Sequence, residues 1–107
     1  MEHTFTEQNF ETEVLGSPVP VVVDFWAEWC GPCRIMSPLV EEIANELDAS
    51  KVKVGKLNVD QSQSVAQQYG VLSIPTFLIF KDGKVVEQMV GTMPKDVFKQ
   101  KVEKHLV

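Results

Sequence analysis

Two cysteines, Cys30 and Cys33, flank Gly31 and Pro32 and are the only cysteines in the 107-residue sequence. Three positions are about one turn of a helix, so both thiols would lie on the same side of a helix that began here. At that spacing a disulfide can form within the Cα–Cα limit of about 7 Å. Because the closed loop is so short, the bond would restrain the unfolded chain very little. We therefore expect a bond that is made and broken rather than one that stabilises the fold.

The cysteines stand where a strand pattern gives way to a helix pattern. Residues 20–26 are apolar at nearly every position, which predicts a central strand covered on both faces. Residues 32–48 repeat apolar side chains at helical spacing, which predicts a helix with one apolar face. The residues of that face are Ile35, Met36, Leu39, Val40, Ile43, Ala44 and Leu47. Cys30 then falls near the helix N-cap, where unpaired N–H groups and the helix dipole favour the nucleophilic thiolate.

The remaining sequence alternates between strand and helix patterns in the order β-α-β-α-β-α-β-β-α. The predicted elements are strand 3–5, a helix capped by Thr6, strand 20–26, helix 32–48, strand 52–59, a short helix closed by Gly70, strands 76–80 and 85–90 joined by a turn at Asp82 and Gly83, and a last helix with Val97, Phe98, Val102 and Leu106 on its apolar face. This order predicts an α/β fold with a mixed five-stranded sheet and helices on both faces. The cysteines lie at the carboxyl end of a central strand, where open α/β sheets place active sites.

Composition restricts the classes of function. The chain is 44% hydrophobic and 23% charged, which is ordinary for one globular domain, here residues 1–107. A net charge of -5 argues against nucleic acid or an anionic membrane as the main partner. No apolar run approaches the roughly 18 residues needed to span a bilayer. The N-terminal residues show no signal peptide pattern, so we expect a cytoplasmic protein.

A metal site is the main alternative for the cysteine pair, because paired cysteines in the cytosol are catalytic or metal-binding more often than structural. A structural zinc ion needs four nitrogen or sulfur ligands. The only other candidates are His3 and His105, at opposite ends of the chain. We therefore expect no metal and favour redox chemistry at Cys30 and Cys33.

Two longer stretches carry a family resemblance. Residues 23–33 read VDFWAEWCGPC, residues 73–76 read SIPT, and Gly91 follows. Together they resemble the thioredoxin family over essentially the whole chain. The resemblance implies the thioredoxin fold and a protein-disulfide reductase that binds no cofactor and works through a Cys30–Cys33 disulfide. Its partners would be disulfide-containing proteins, including disulfide-forming cytosolic enzymes, and thioredoxin reductase, a flavoprotein that draws electrons from NADPH. Arg34 departs from the lysine of many members but keeps the positive charge.

The resemblance also assigns roles to the cysteines and to Asp24. Cys30 would attack the substrate disulfide and Cys33 would resolve the mixed disulfide, with Cys30 the better exposed of the two. Asp24 interrupts an apolar strand, and from the residues alone it faces solvent, pairs with Lys56, or reaches beneath the start of the helix. The resemblance implies the last arrangement: a buried acid/base that helps Cys33 release its proton, with Lys56 nearby.

Five further residues are expected to shape or form the surface around the cysteines. Trp26 ends a buried strand and is expected in the core, where it also shapes the site. Trp29 lies in a polar loop beside the nucleophile, where an exposed ring suits contact with a polypeptide. Ile74, Pro75 and Gly91 would complete this surface. The resemblance implies that Pro75 is cis and that the neighbouring backbone pairs with an extended substrate segment.

Two other classes of function stay open at this point. The fold can serve as a subunit or binding module, although the intact thiol pair, Asp24 and Pro75 make such a role additional. An extracytoplasmic oxidase is the second alternative. The Gly31-Pro32 dipeptide and the missing signal pattern favour a cytoplasmic reductant, and a monomer is the expected state.

Overall fold

The computed structural model describes residues 2–106. The strands are β1 (Glu2–Phe5), β2 (Val21–Trp26), β3 (Lys53–Asn58), β4 (Thr76–Lys81) and β5 (Lys84–Val90). The α-helices are α1 (Gly31–Glu46), α2 (Gln63–Gln68) and α3 (Lys95–Glu103), and a π-helical segment spans Glu11–Leu15.

The strands form one mixed sheet in the order β1-β3-β2-β4-β5. β1, β3 and β2 run parallel, while β4 is antiparallel to β2 and β5 is antiparallel to β4. The predicted five-stranded mixed sheet is confirmed. β2 lies in the middle, and every residue of β2 except Trp26 is buried, as its continuous apolar run predicts.

Helices cover both faces of the sheet, as predicted. On one face α1 and α3 pack on the sheet through an apolar cluster that includes Met36, Val40, Phe98 and Val102. The π-helical segment and α2 cover the other face through Phe10, Val14, Val65 and Ala66. Leu106 lies beyond the end of α3 but still packs against the first of these clusters.

Two residues predicted on apolar helix faces lie outside the core. Ile35 is 62% exposed and Val97 is 38% exposed. Each precedes a fully buried residue, Met36 and Phe98 respectively. Successive side chains on a helix point about 100° apart, so a narrow contact with the sheet buries one of the pair and leaves its neighbour in solvent.

The first predicted helix is a π-helical segment, in which the Gly16 amide donates to the Glu11 carbonyl at 2.8 Å. Thr6 precedes it and exchanges hydrogen bonds with Asn9, whose side chain accepts from the Thr6 amide at 2.7 Å. The predicted turn between β4 and β5 is confirmed, with positive φ angles of 54° at Asp82 and 78° at Gly83.

None of the helices in the described part of the chain is long and apolar enough to cross a membrane.

Candidate active site

The connection between β2 and α1 positions the two cysteines. Cys30 is the N-cap of α1, with an extended backbone, and Gly31 and Pro32 begin the helix. Cys30 and Cys33 form a disulfide whose Cα atoms are 5.3 Å apart. The backbone amide of Cys33 donates to Cys30 Sγ at 3.2 Å. An N–H group at a helix N-terminus therefore points at the sulfur, which is the arrangement that stabilises a thiolate.

The expected difference in exposure between the cysteines is wrong for the disulfide form, in which each is 3% exposed. Ala27 is buried with them, and the partly buried side chains of Trp26, Val59 and Ile74 pack against them. The Ile74 carbonyl oxygen lies 3.7 Å from Cys30 Sγ. The loop that contains Ile74 therefore covers the first cysteine as closely as the helix covers the second.

Asp24 lies in β2 on the sheet face that α1 covers, in register with Lys56 of β3 and Phe77 of β4. Its side chain is buried, and its Oδ1 atom has no hydrogen-bond partner within residues 2–106. Of the three possibilities for this residue, an aspartate facing solvent is therefore wrong. Lys56 is its register neighbour, but the Lys56 Nζ lies 5.0 Å from the centre of the Trp26 ring and makes no salt bridge to Asp24 in the described part of the chain.

Burial raises the pKa of Asp24 from its ordinary value of 3.8 to about 7, with a further increase from the Glu2 carboxylate and an opposing effect of the Lys56 ammonium. Removing a carboxylate from water disfavours its charged form, and the Lys56 ammonium compensates for this only partly. Asp24 can therefore take up or release a proton near neutral pH, as a general acid/base requires.

Trp29 directly precedes Cys30 and is 70% exposed, as predicted. Its indole Nε1–H donates to Asp60 Oδ2 at 2.8 Å, which fixes the ring in the loop after β2. The sequence interpretation missed Asp60. This residue follows the carboxyl end of β3, and the cysteines follow the carboxyl end of the parallel neighbouring strand β2. Arg34 also turns toward this loop, since its Nη2 donates to the Glu28 carbonyl at 2.8 Å.

The Ile74–Pro75 peptide bond is cis, as the resemblance implies. Thr76 Oγ1 donates to the Ser73 carbonyl at 2.5 Å, which ties the loop to the start of β4. Gly91 has a φ of 87°, which favours glycine, and its amide donates to the Pro75 carbonyl at 2.9 Å. The backbone amide of Ile74 makes no hydrogen bond within residues 2–106 and is available to a bound chain.

A groove of about 260 Å³ opens beside the second cysteine. Its lining residues are Trp26, Ala27, Glu28, Cys33, Arg34 and Ser37. The groove therefore brings Cys33 together with Trp26 and Arg34 along one wall of the site. In the part of the chain that the structure describes, no three His, Cys, Asp or Glu side chains come together as metal ligands would.

Comparison with known proteins identifies the family. A family model described as Thioredoxin matches residues 2–104. Thioredoxin 1 of Nostoc sp. (strain PCC 7120 / SAG 25.82 / UTEX 2576) is 54% identical over 101 residues, which cover 94% of each chain. Thioredoxin of Chlorobaculum thiosulfatiphilum is 48% identical over 101 residues, 94% of this chain and 93% of its own length. Thioredoxin M-type, chloroplastic of Chlamydomonas reinhardtii is 53% identical over 100 residues, 94% of this chain and 71% of its own.

Replacing Asp24 by asparagine should change how stability depends on pH. The folded carboxyl keeps its proton up to about pH 7, whereas an unfolded one loses it near pH 3.8. The contribution of Asp24 to the free energy of unfolding therefore falls as the pH rises between these values and is constant above them. We expect Asp24→Asn to unfold with a free energy about 1–4 kcal/mol higher than the unchanged chain at pH 8.

Urea unfolding of both chains at pH 4 and pH 8 measures this difference, which should shrink toward the acidic end. A difference that is the same at both pH values would contradict burial of an ionisable carboxyl as its source.

Proposed function

This chain belongs to the thioredoxin family of thiol–disulfide oxidoreductases, and we propose a role for each residue that the structure brings together at its Cys30–Cys33 disulfide. The observation that carries the proposal is the hydrogen bond from the Cys33 amide to Cys30 Sγ at the N-terminus of α1. It supports Cys30 as the thiolate that attacks the disulfide of a substrate protein.

The reaction transfers two electrons in two exchanges. The Cys30 thiolate forms a bond to one substrate sulfur, the substrate disulfide breaks, and the second substrate sulfur leaves with the electron pair and takes up a proton. Cys33 then loses its proton and attacks Cys30 Sγ. The Cys30–substrate bond breaks, and the substrate leaves as a dithiol while the chain becomes a disulfide.

Asp24 is proposed to accept the Cys33 proton in the second exchange. Its position on the sheet face beneath α1 and its pKa of about 7 support this role. An acceptor whose pKa approaches that of a thiol, ordinarily near 8.5, takes the proton more readily than an exposed aspartate would. Lys56 is proposed to support this role because its ammonium lowers the pKa of Asp24, and Trp26 because its ring lies 5.0 Å from the Lys56 Nζ.

Trp29, Ile74, Pro75 and Gly91 are proposed to bind the substrate. The exposed Trp29 ring provides apolar contact on one side of the disulfide. On the other side, the Ile74 amide makes no hydrogen bond within residues 2–106, which supports pairing of this amide with an extended chain. The Pro75 carbonyl already accepts from the Gly91 amide. Gly91 has open space where a Cβ would stand, which leaves room for that chain. Gly31 and Pro32 hold the first turn of α1 in place.

The proposal extends to how the chain is recharged and where it acts. Electrons come from NADPH through thioredoxin reductase, a flavoprotein, so that this chain itself carries none of those cofactors. It acts in the cytoplasm as a monomer and as a single domain over residues 1–107. The family membership and the Gly31-Pro32 dipeptide support these statements.

Single cysteine variants separate the two thiol roles. When mixed with an excess of a disulfide-bonded peptide, Cys33→Ser should accumulate a covalent adduct, because the attacking thiolate remains and the resolving thiol is lost. Cys30→Ser should form far less of it, since the buried Cys33 would have to attack first. Mass spectrometry under non-reducing conditions measures both adducts, and an adduct that forms faster on Cys30→Ser would reverse the assignment.

Replacing Asp24 also tests its role in the second exchange. We expect Asp24→Asn to slow disulfide reduction on the order of 10- to 100-fold, because no buried base then accepts the Cys33 proton. The rate of the unchanged chain should rise through pH 7 as Asp24 ionises, and the variant should lose that rise. Stopped-flow kinetics of the reduced proteins across pH 5–9 gives both profiles. Identical rates at every pH would remove Asp24 from the mechanism.

Equilibration of the Cys30–Cys33 pair with glutathione tests the direction of electron flow. A reductant of this family should have a reduction potential well below that of the cytosolic glutathione pool. Alkylation of free thiols followed by mass spectrometry measures the reduced fraction in buffers of known composition. A potential well above the pool would instead identify an oxidant and would also contradict the cytoplasmic location.

A further inference from the structure

A second carboxylate lies on the same sheet face as Asp24. Thr4, Lys56 and Asp24 form one row across β1, β3 and β2, and Glu2, Val54 and Val22 form the next row on that face. Val22 and Val54 both belong to the core under α1, so the Glu2 side chain emerges on the α1 side as well. Glu2 is therefore a diagonal neighbour of Lys56 in the sheet, and Lys56 lies between Glu2 and Asp24.

Glu2 and Asp24 share an unusual feature. Glu2 Oε2 and Asp24 Oδ1 are the buried side-chain polar atoms without a hydrogen-bond partner in the described part of the chain. Buried polar groups are nearly always paired, so each exception needs an explanation. Burying an ionised carboxylate without a hydrogen-bond partner costs much more free energy than burying a carboxyl that holds a proton.

The charges around the two carboxyls are few. Lys56 of β3 lowers the pKa of both carboxyls, while Glu41 of α1 raises the pKa of Glu2 and the N-terminal ammonium lowers it. β4 presents Phe77 in register with Asp24, and α1 covers this face with its buried residues, among which the disulfide-bonded Cys33 and Met36 lie on the same side of the helix. The Lys56 ammonium acts on both carboxylates, and one shared cation cannot neutralise two of them in a setting of low polarity. Two such acids titrate as a coupled pair, in which the charge on one makes the other hold its proton more firmly.

We propose that Glu2 is a positioning residue for the redox reaction: its carboxylate shares Lys56 with Asp24 beneath α1 and makes Asp24 a stronger base toward the Cys33 thiol. This proposal rests on the role of Asp24 proposed above. It adds Lys56 of β3 and Glu2 of β1 to the groups that set the pKa of Asp24 in β2. The proton balance is unchanged, since the Cys33 proton still passes to Asp24. Glu2 contributes repulsion that makes the protonated form of Asp24 more favourable.

Glu2→Gln tests this proposal because it removes the charge and keeps the shape. We expect the midpoint of the Asp24 carboxyl titration, followed by ¹³C NMR, to fall by roughly half a pH unit or more once the repulsion is lost. Glu11→Gln is the matched control. It removes the same charge from an exposed residue of the π-helical segment, on the opposite face of the sheet. The control should leave the Asp24 midpoint where it is.

The pH dependence of the disulfide-reduction rate then separates a failure of this proposal from a failure of the proposed role of Asp24. The proposal is supported if the Asp24 midpoint and the rise of rate with pH both move to lower pH in Glu2→Gln. In addition, Glu2→Gln should not change the rate profile of a chain that already carries Asp24→Asn. An unchanged Asp24 midpoint overturns it, whatever the rates do. A midpoint that moves while the rate profile stays fixed shows that the two carboxyls are coupled, but it overturns Asp24 as the base and with it the role proposed for Glu2 in the reaction. Should the amide variant not fold, Glu2→Ala at the end of the edge strand gives the same measurement.

Discussion

The active site depends on how little freedom the connection between β2 and α1 has. β2 is buried on both faces in the middle of the sheet, and α1 is held on that sheet by Met36 and Val40. Neither element can shift without opening a core, so the Cys30 sulfur stays at the helix end where the Cys33 amide points at it. Fixed backbone dipoles need no reorganisation during a reaction, which makes them more effective than mobile charged side chains. The reactivity of the first thiol is in this sense a property of the fold.

The same packing has the opposite effect on Asp24. The apolar environment that stabilises Val22 and Phe77 disfavours a carboxylate between them in the sheet, and the chain loses stability at neutral pH by keeping it there. Such a loss is expected where a residue serves the reaction rather than the fold. The two parts of the site are therefore complementary. The helix N-terminus favours negative charge on the Cys30 sulfur, which supports the proposed attack by Cys30. The sheet interior favours a neutral carboxyl at Asp24, which supports the proposed uptake of the Cys33 proton.

Local sequence patterns were sufficient for the features that depend on neighbours in the chain. The buried strands around Val23 and Leu78, the turn at Asp82 and the helix that begins after Cys30 all follow from such patterns. Features that depend on distant segments could not be predicted in this way. Glu2 and Asp24 lie on the same sheet face, on either side of Lys56, only because β1 and β2 both pair with β3 in a particular register. The burial of Cys30 depends on a loop more than forty residues away, and the cis bond at Pro75 came from the family resemblance, because cis is uncommon even before proline.

The surface around the two sulfurs offers more area to a bound chain than the sulfurs themselves do. Because each cysteine is 3% exposed in the disulfide form, most of the accessible surface nearby belongs to other residues, such as Trp29 at 70% exposure. A small disulfide has little area to bury against these side chains and no backbone to pair with the Ile74 amide. An extended polypeptide has both. Discrimination in favour of protein disulfides would then arise from how a substrate is held rather than from the exchange chemistry, which is the same for any disulfide that reaches Cys30.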